Sequence, residues 1–154
     1  MFRRKYAKLR FLTLDEEMPA GRFSHMGKRL NTVRDRLYTK LGREPTHEEW
    51  ATACRLGISD LHNYLDVSRK SQNRLVSHNI RLVDFWVRKL MEYSLAAKEI
   101  SYFDLVVEGL VGLRKAAESF DGSGSSRPTV LITYPLSGAP HPLHALWTHG
   151  RLLP

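Results

Sequence analysis

From about residue 13 to residue 121, apolar positions recur at intervals of three and four, the period of amphipathic helices. The pattern opens behind Thr13-Leu-Asp-Glu16. There a Thr hydroxyl and a Glu three residues on can exchange hydrogen bonds with each other's backbone N–H at a helix start. Pro19 lacks the amide donor that a helix interior uses, so the spacing predicts a helix that breaks there and restarts after Gly21. Phe23, Met26, Leu30, Val33, Leu37 and Leu41 then line one face, with Lys28, Arg29, Arg34, Arg36 and Lys40 largely off it. Gly42 stops this helix, and Pro45 keeps Glu44 out of the helical region.

Thr46-His-Glu-Glu49 repeats the capping pattern and opens a short helix bearing Trp50, Ala51, Ala53 and Cys54, with Gly57 expected to end it. Ser59 can cap the next helix, with Leu61 and Leu65 inward. Two short helices joined through a glycine resemble a helix-turn-helix, a common packing device that does not by itself establish DNA binding. A longer helix is predicted from about residue 68 to residue 93, its core stripe being Leu75, Leu82, Val83, Trp86 and Leu90. After a connection over residues 94–100, Ser101-Tyr-Phe-Asp104 can cap a last helix ending near Phe120, with Leu105, Val106, Leu110, Leu113 and Ala117 inward. Beyond Asp121 the run Gly-Ser-Gly-Ser-Ser has a linker composition. Apart from one short strand over 129–134, the proline-rich residues 122–154 are expected to be disordered.

Charge adds a direction. Residues 1–43 hold 12 Lys and Arg against 4 Asp and Glu, so the whole net charge of +8 resides there. A local cationic excess attracts polyanions, nucleic acid among them, and equally describes a solvated helix face. The basic first ten residues are too short and too poor in serine for a whole organelle transit peptide, though they fit the end of one. Cys54 stands alone and among apolar neighbours, which reads as a small core residue rather than a nucleophile. No apolar run reaches the roughly 20 residues of a membrane span.

Five blocks carry a resemblance. They are Leu12-Thr-Leu-Asp-Glu-Glu17, Leu41-Gly-Arg-Glu-Pro-Thr-His-Glu-Glu-Trp-Ala51, Asn79-Ile-Arg-Leu-Val83, Asp104-Leu-Val-Val-Glu-Gly109 and Gly112-Leu through Ala116-Ala-Glu-Ser-Phe-Asp121. In order and spacing they resemble the sigma-70 family of RNA polymerase sigma factors, bacterial and plastid. The resemblance covers residues 11–121. It implies an all-α fold, an orthogonal helical bundle of the sigma region 2 type with region 1.2 packed on it. Residues 1–10 would be a basic N-terminal segment and residues 122–154 a tail. It implies docking on core RNA polymerase, at the coiled-coil clamp helices of the largest subunit, through Ile80, Asp104 and Glu108.

Three positions depart from the family pattern. Val107 replaces a usual Gln, Leu110 an often polar residue, and Arg114 an often apolar one. A larger departure follows Asp121. The Phe-Ser-Thr-Tyr-Ala-x-Trp-Trp aromatics by which the family holds melted promoter DNA do not appear, so the chain reads as truncated before them. Promoter DNA is then expected as a weak or incomplete partner, met on its backbone by Arg29, Arg34, Arg36 and Lys40.

The resulting expectation is a sigma-factor fragment for transcription initiation. A regulatory competitor that occupies the clamp helices, or an inert truncated product, stays open beside it. An enzyme is not expected. His47-Glu48-Glu49 lacks the second His of a zinc helix, and no glycine-rich phosphate loop occurs. His141, His144 and His149 lie in the tail without a Cys partner, and no cofactor or metal is expected.

Overall fold

A computed structural model describes residues 9–93 and 95–123. Among these the chain forms five helices: α1 Leu14–Leu41, α2 His47–Cys54, α3 Ile58–Tyr93, the short α4 Leu95–Lys98 and α5 Tyr102–Ser119. There is no strand among the described residues. The all-α expectation holds. The strand expected at 129–134, the tail histidines and most of the tail lie outside the described residues.

The starts and stops follow local chemistry. Glu16 accepts from the Thr13 amide N–H at 3.0 Å, and Glu49 accepts from that of Thr46 at 2.8 Å. Both first turns are thereby closed, and acids lie at the positive end of each helix. Ser101 caps α5, its hydroxyl accepting from the Phe103 N–H. Helix α2 ends on Arg55, not at Gly57: Arg55 takes a left-handed conformation with φ 57°, and Gly57 instead offers its carbonyl to Leu61 at the start of α3.

Six expectations change. Helix α1 runs unbroken through Pro19. Pro19 falls only six residues past the cap, and the Asp15 carbonyl left without its amide partner sits on an exposed turn that water can reach. The inner face of α1 is also displaced. Phe23 and Leu41 are exposed, whereas Glu17, Ala20, Gly21, Ser24, Gly27 and Leu30 are buried. The two helices expected at Ser59 and Ser68 are a single one of 36 residues, α3, with no glycine or proline inside it. On α3 the core stripe is Leu75, Asn79, Ile80, Val83, Val87 and Leu90, while Leu82 and Trp86 are only half-buried. Leu82 and Trp86 lie about 100° around the helix from Val83 and Val87. Finally, the 94–100 connection contains α4, and Cys54 is half-buried beside its core, not fully within it.

Two cores result. One holds Leu12, Ala20, Leu75, Val83, Val87 and Leu90 against Leu105, Val106, Leu113, Ala116, Ala117 and Phe120. The other holds Leu30, Trp50, Ala51 and Leu61. Trp50 is anchored there because its indole N–H donates to the Leu30 carbonyl at 2.9 Å, a satisfied buried polar contact. Between the cores runs a polar seam. Ser24 donates to the Ala117 carbonyl, and Ser68 donates to the Ser24 carbonyl at 3.3 Å. Gly27 faces Ser68 so closely that a methyl group would overlap its side chain. The segment before α1 is strapped to α3. Leu12 is buried, Arg10 forms a bidentate pair with Glu16 at 2.7 and 2.8 Å, and Arg74 reaches Glu16 at 3.1 Å.

Candidate functional site

The expected site residues fall on two surfaces. The first is built on α5. Asp104 is exposed and Glu108 half-buried, one helical turn apart. Two contacts fix that helix on α3. At its start, the Tyr102 hydroxyl donates to Asp84, which also accepts from Arg88 at 3.1 Å, and the Arg88 guanidinium lies 5.3 Å from the Tyr102 ring centroid. Burial, with Asp84 alongside, pushes the Tyr102 hydroxyl pKa up, so it stays a donor. At the middle, Gly109 brings the α5 backbone onto Val83, and a Cβ there would stand 2.5 Å from Val83 Cγ1. Glu108 therefore sits directly beside the helix crossing.

Ile80 is placed differently from the expectation. It is 5% exposed, on the inner face of α3 one turn before Val83. It belongs with Asn79 and Val83 to the buried residues of α3. Asn79 in turn donates to the Leu75 carbonyl at 2.8 Å. The outer face of α5 carries apolar residues of which the sequence pattern marks only Val107, as a departure. Phe103, Val107 and Val111 are 65%, 43% and 42% exposed, at intervals of four residues.

The second surface is the outer side of α1. Arg29, Arg36 and Lys40 are exposed and share one face, and Arg22, seven residues before Arg29, extends it. None of the four forms an ion pair with another described residue. The stripe is about 27 Å long, at 1.5 Å per residue. Arg34 does not belong to it. It lies about 140° around the helix from Arg29, with its guanidinium 5.7 Å from the Trp50 ring centroid and 3.4 Å from Asp35. Arg22 opens the basic segment over 22–43, ahead of the apolar stripe that orients the helix. Its seven-residue spacing to Arg29 and Arg36 was the available signal.

Both surfaces suit binding. Among the described residues no group of three or more His, Cys, Asp and Glu is arranged to hold a metal, and no helix is long and apolar enough to cross a membrane. Burial raises the Cys54 thiol pKa, which disfavours the thiolate a nucleophile would need.

The helical unit thus presents one acidic and apolar helix face and one cationic stripe. No family model matches the chain. It is similar to the RNA polymerase sigma factor SigA of Nostoc sp., with 35% identity over 121 residues, 79% of this chain and 30% of that protein. It is similar to the RNA polymerase sigma factor SigA2 of Synechococcus elongatus, with 31% identity over 116 residues, 75% of this chain and 35% of that protein. It also resembles the chloroplastic RNA polymerase sigma factor sigF of Arabidopsis thaliana, with 31% identity over 118 residues, 75% of this chain and 20% of that protein. The chain belongs to the sigma-70 family of RNA polymerase sigma factors. It spans about a third of the length of the curated cyanobacterial relatives it matches.

Proposed function

We propose that this chain is a transcription-initiation factor of the sigma type that docks on core RNA polymerase through the outer face of α5. Residues 11–121 act as its region 1.2 and the first part of region 2, preceded by a basic segment over 1–10 and followed by a tail over 122–154. Asp104 and Glu108 meet basic side chains on the clamp helices of the largest polymerase subunit, and the exposed apolar neighbours add desolvated area. Ile80, 5% exposed on α3, supports that surface from within and is not a direct contact. The action is binding, not catalysis.

The observation that carries this reading is the position of Asp104 and Glu108. They stand one turn apart on a helix pinned at both Tyr102 and Gly109. Carboxylates held on a rigid helix offer a partner a fixed pattern of charge without a large ordering cost. Promoter DNA is a weak or incomplete partner, met on its phosphates by Arg22, Arg29, Arg36 and Lys40, with Arg34 committed to Trp50 and Asp35 instead. The place of action is the cytoplasm of a bacterium or the plastid of a plant or alga, supported by cyanobacterial and chloroplastic relatives.

The test is binding of the chain to purified core polymerase beside an Asp104→Ala, Glu108→Ala double variant. Binding that weakens at least about tenfold in the variant, or about 1.4 kcal/mol, supports the docking face. Equal binding by both proteins moves the interface elsewhere, and no binding by the parent chain removes the docking function.

A further inference from the structure

We propose that the outer face of α5 also accepts a second copy of this chain in antiparallel orientation, so that self-association covers the surface that docks on polymerase. Its regulatory meaning rests on the docking reading; its geometry does not.

The face is apolar along its middle, acidic at its first end, and carries Lys115 beside the Arg114–Glu118 pair at its second. Phe103, Val107 and Val111 are exposed at successive turns. Asp104 and Glu108 belong to the first half of α5; in the second half Arg114 pairs with Glu118 at 3.3 Å, which leaves the exposed Lys115 as the cation that faces outward without an acid of its own helix. A two-fold interface uses the same patch on both partners, so that patch must complement itself. This one does, in one orientation only. With the two-fold axis at the level of Gly109, Val107 of one copy meets Val111 of the other. Asp104 of each copy then comes level with Arg114 and Lys115 of the other, and the pairing forms twice. A parallel arrangement would set like charges against each other.

The stripe advances in steps of four, which packs i±4 ridges into i±4 grooves and makes the helices cross at about −50°. The long side chains of Arg114 and Lys115 bridge the divergence away from the axis. A single helix pair buries less than the roughly 1,600 Å² of a standard stable complex, so the dimer is reversible and concentration-dependent. Raising the concentration of free protein would therefore withdraw Asp104 and Glu108 from polymerase.

Charge reversal tests this. Asp104→Lys sets lysine against Arg114 and Lys115, and Lys115→Asp sets aspartate against Asp104. Each variant alone should self-associate at least about tenfold more weakly than the parent chain. Mixed in equal amounts, the two variants pair with opposite signs at both contacts. The introduced lysine of one faces the introduced aspartate of the other, and the unchanged Lys115 of the first faces the unchanged Asp104 of the second. Association should then return. Sedimentation velocity on the full 17.8 kDa chain, without polymerase, reads all four samples. Circular dichroism and melting of each variant check that it is folded, since both positions are exposed. A parent chain that stays monomeric into the hundred-micromolar range, or folded variants whose mixture fails to associate, overturns the proposal. A dimer that never binds polymerase would sink the docking function and leave this interface standing; polymerase binding by a strict monomer would do the reverse.

Discussion

Replacing Gly109 by alanine probes whether α5 is held where the candidate docking residues need it. In an open helix interior, Gly→Ala stabilises by about 1 kcal/mol, because alanine loses less backbone freedom on folding. Here the added Cβ would lie 2.5 Å from Val83 Cγ1, about 1 Å inside an ordinary carbon–carbon contact. Val83 is 8% exposed. As a β-branched residue in a helix it has essentially one rotamer, so it cannot swing clear. Overpacking of this kind costs about 1–3 kcal/mol. The expected net effect is a loss of about 1 kcal/mol, which is about 2 kcal/mol away from the open-site result.

The sign should then reverse in a Val83→Ala background. That substitution costs about 1–3 kcal/mol alone and removes the atom the new methyl meets. Gly109→Ala on top of it should stabilise by about 1 kcal/mol, a coupling of about 2 kcal/mol between the two positions. Urea unfolding with unchanged m-values measures all four proteins. If Gly109→Ala stabilises the parent chain, or has the same sign in both backgrounds, the close α3–α5 crossing is wrong.

Four further outcomes are expected. In anisotropy titrations with duplex DNA, Arg22→Ala, Arg29→Ala and Arg36→Ala should each flatten the slope of log K against log salt by about 0.9, while Arg34→Ala leaves it unchanged. Glu16 and Glu49 have pKa values lowered from the ordinary 4.5 to about 2 by hydrogen bonds from Arg10 and Arg43 and from the cap residues. A depressed folded pKa stabilises the fold above the unfolded value, so melting temperature should fall as pH drops from about 4.5 to about 2. Glu16→Gln and Glu49→Gln should flatten that decline. Burial raises the Glu17 pKa, the opposite sign, so Glu17→Gln should raise the melting temperature at neutral pH and lose its advantage in acid. Arg55→Gly should raise the unfolding free energy measured in urea by up to about 1 kcal/mol, since glycine takes the left-handed turn without the Cβ penalty.

Much of this architecture is legible in single residues. The capping pairs Thr13–Glu16 and Thr46–Glu49 and the Ser101 cap mark helix starts, because cap chemistry is local and spans only four residues. Gly42 marks the end of α1 for the same reason. The exposed positions of Asp104, Arg29, Arg36 and Lys40 also follow from the helical period once the helices are in place. The family was legible because five short blocks keep their order and spacing, which no local rule accounts for.

Other features have no local signature. Between residues 66 and 74 the sequence offers few apolar positions, so α3 reads as two helices. It is continuous because Ser68 and Gly27 let two backbones approach closely, and packing replaces the missing apolar stripe. Val83 with Val87, and Leu82 with Trp86, are two equally periodic choices a hundred degrees apart on α3. Only the arrival of Gly109 at Val83 decides between them. Ile80 is buried on α3 as well, away from the surface where it was expected. Arg34 stands off the cationic stripe by the helical period itself, and only the tertiary structure sets it over Trp50, 16 residues away in sequence. The sequence alone determined where helices begin, which residues are charged and which family they descend from, since these depend on nearest neighbours and on pattern. The tertiary structure alone decided which face of each helix is inside, because that depends on atoms brought together from distant parts of the chain.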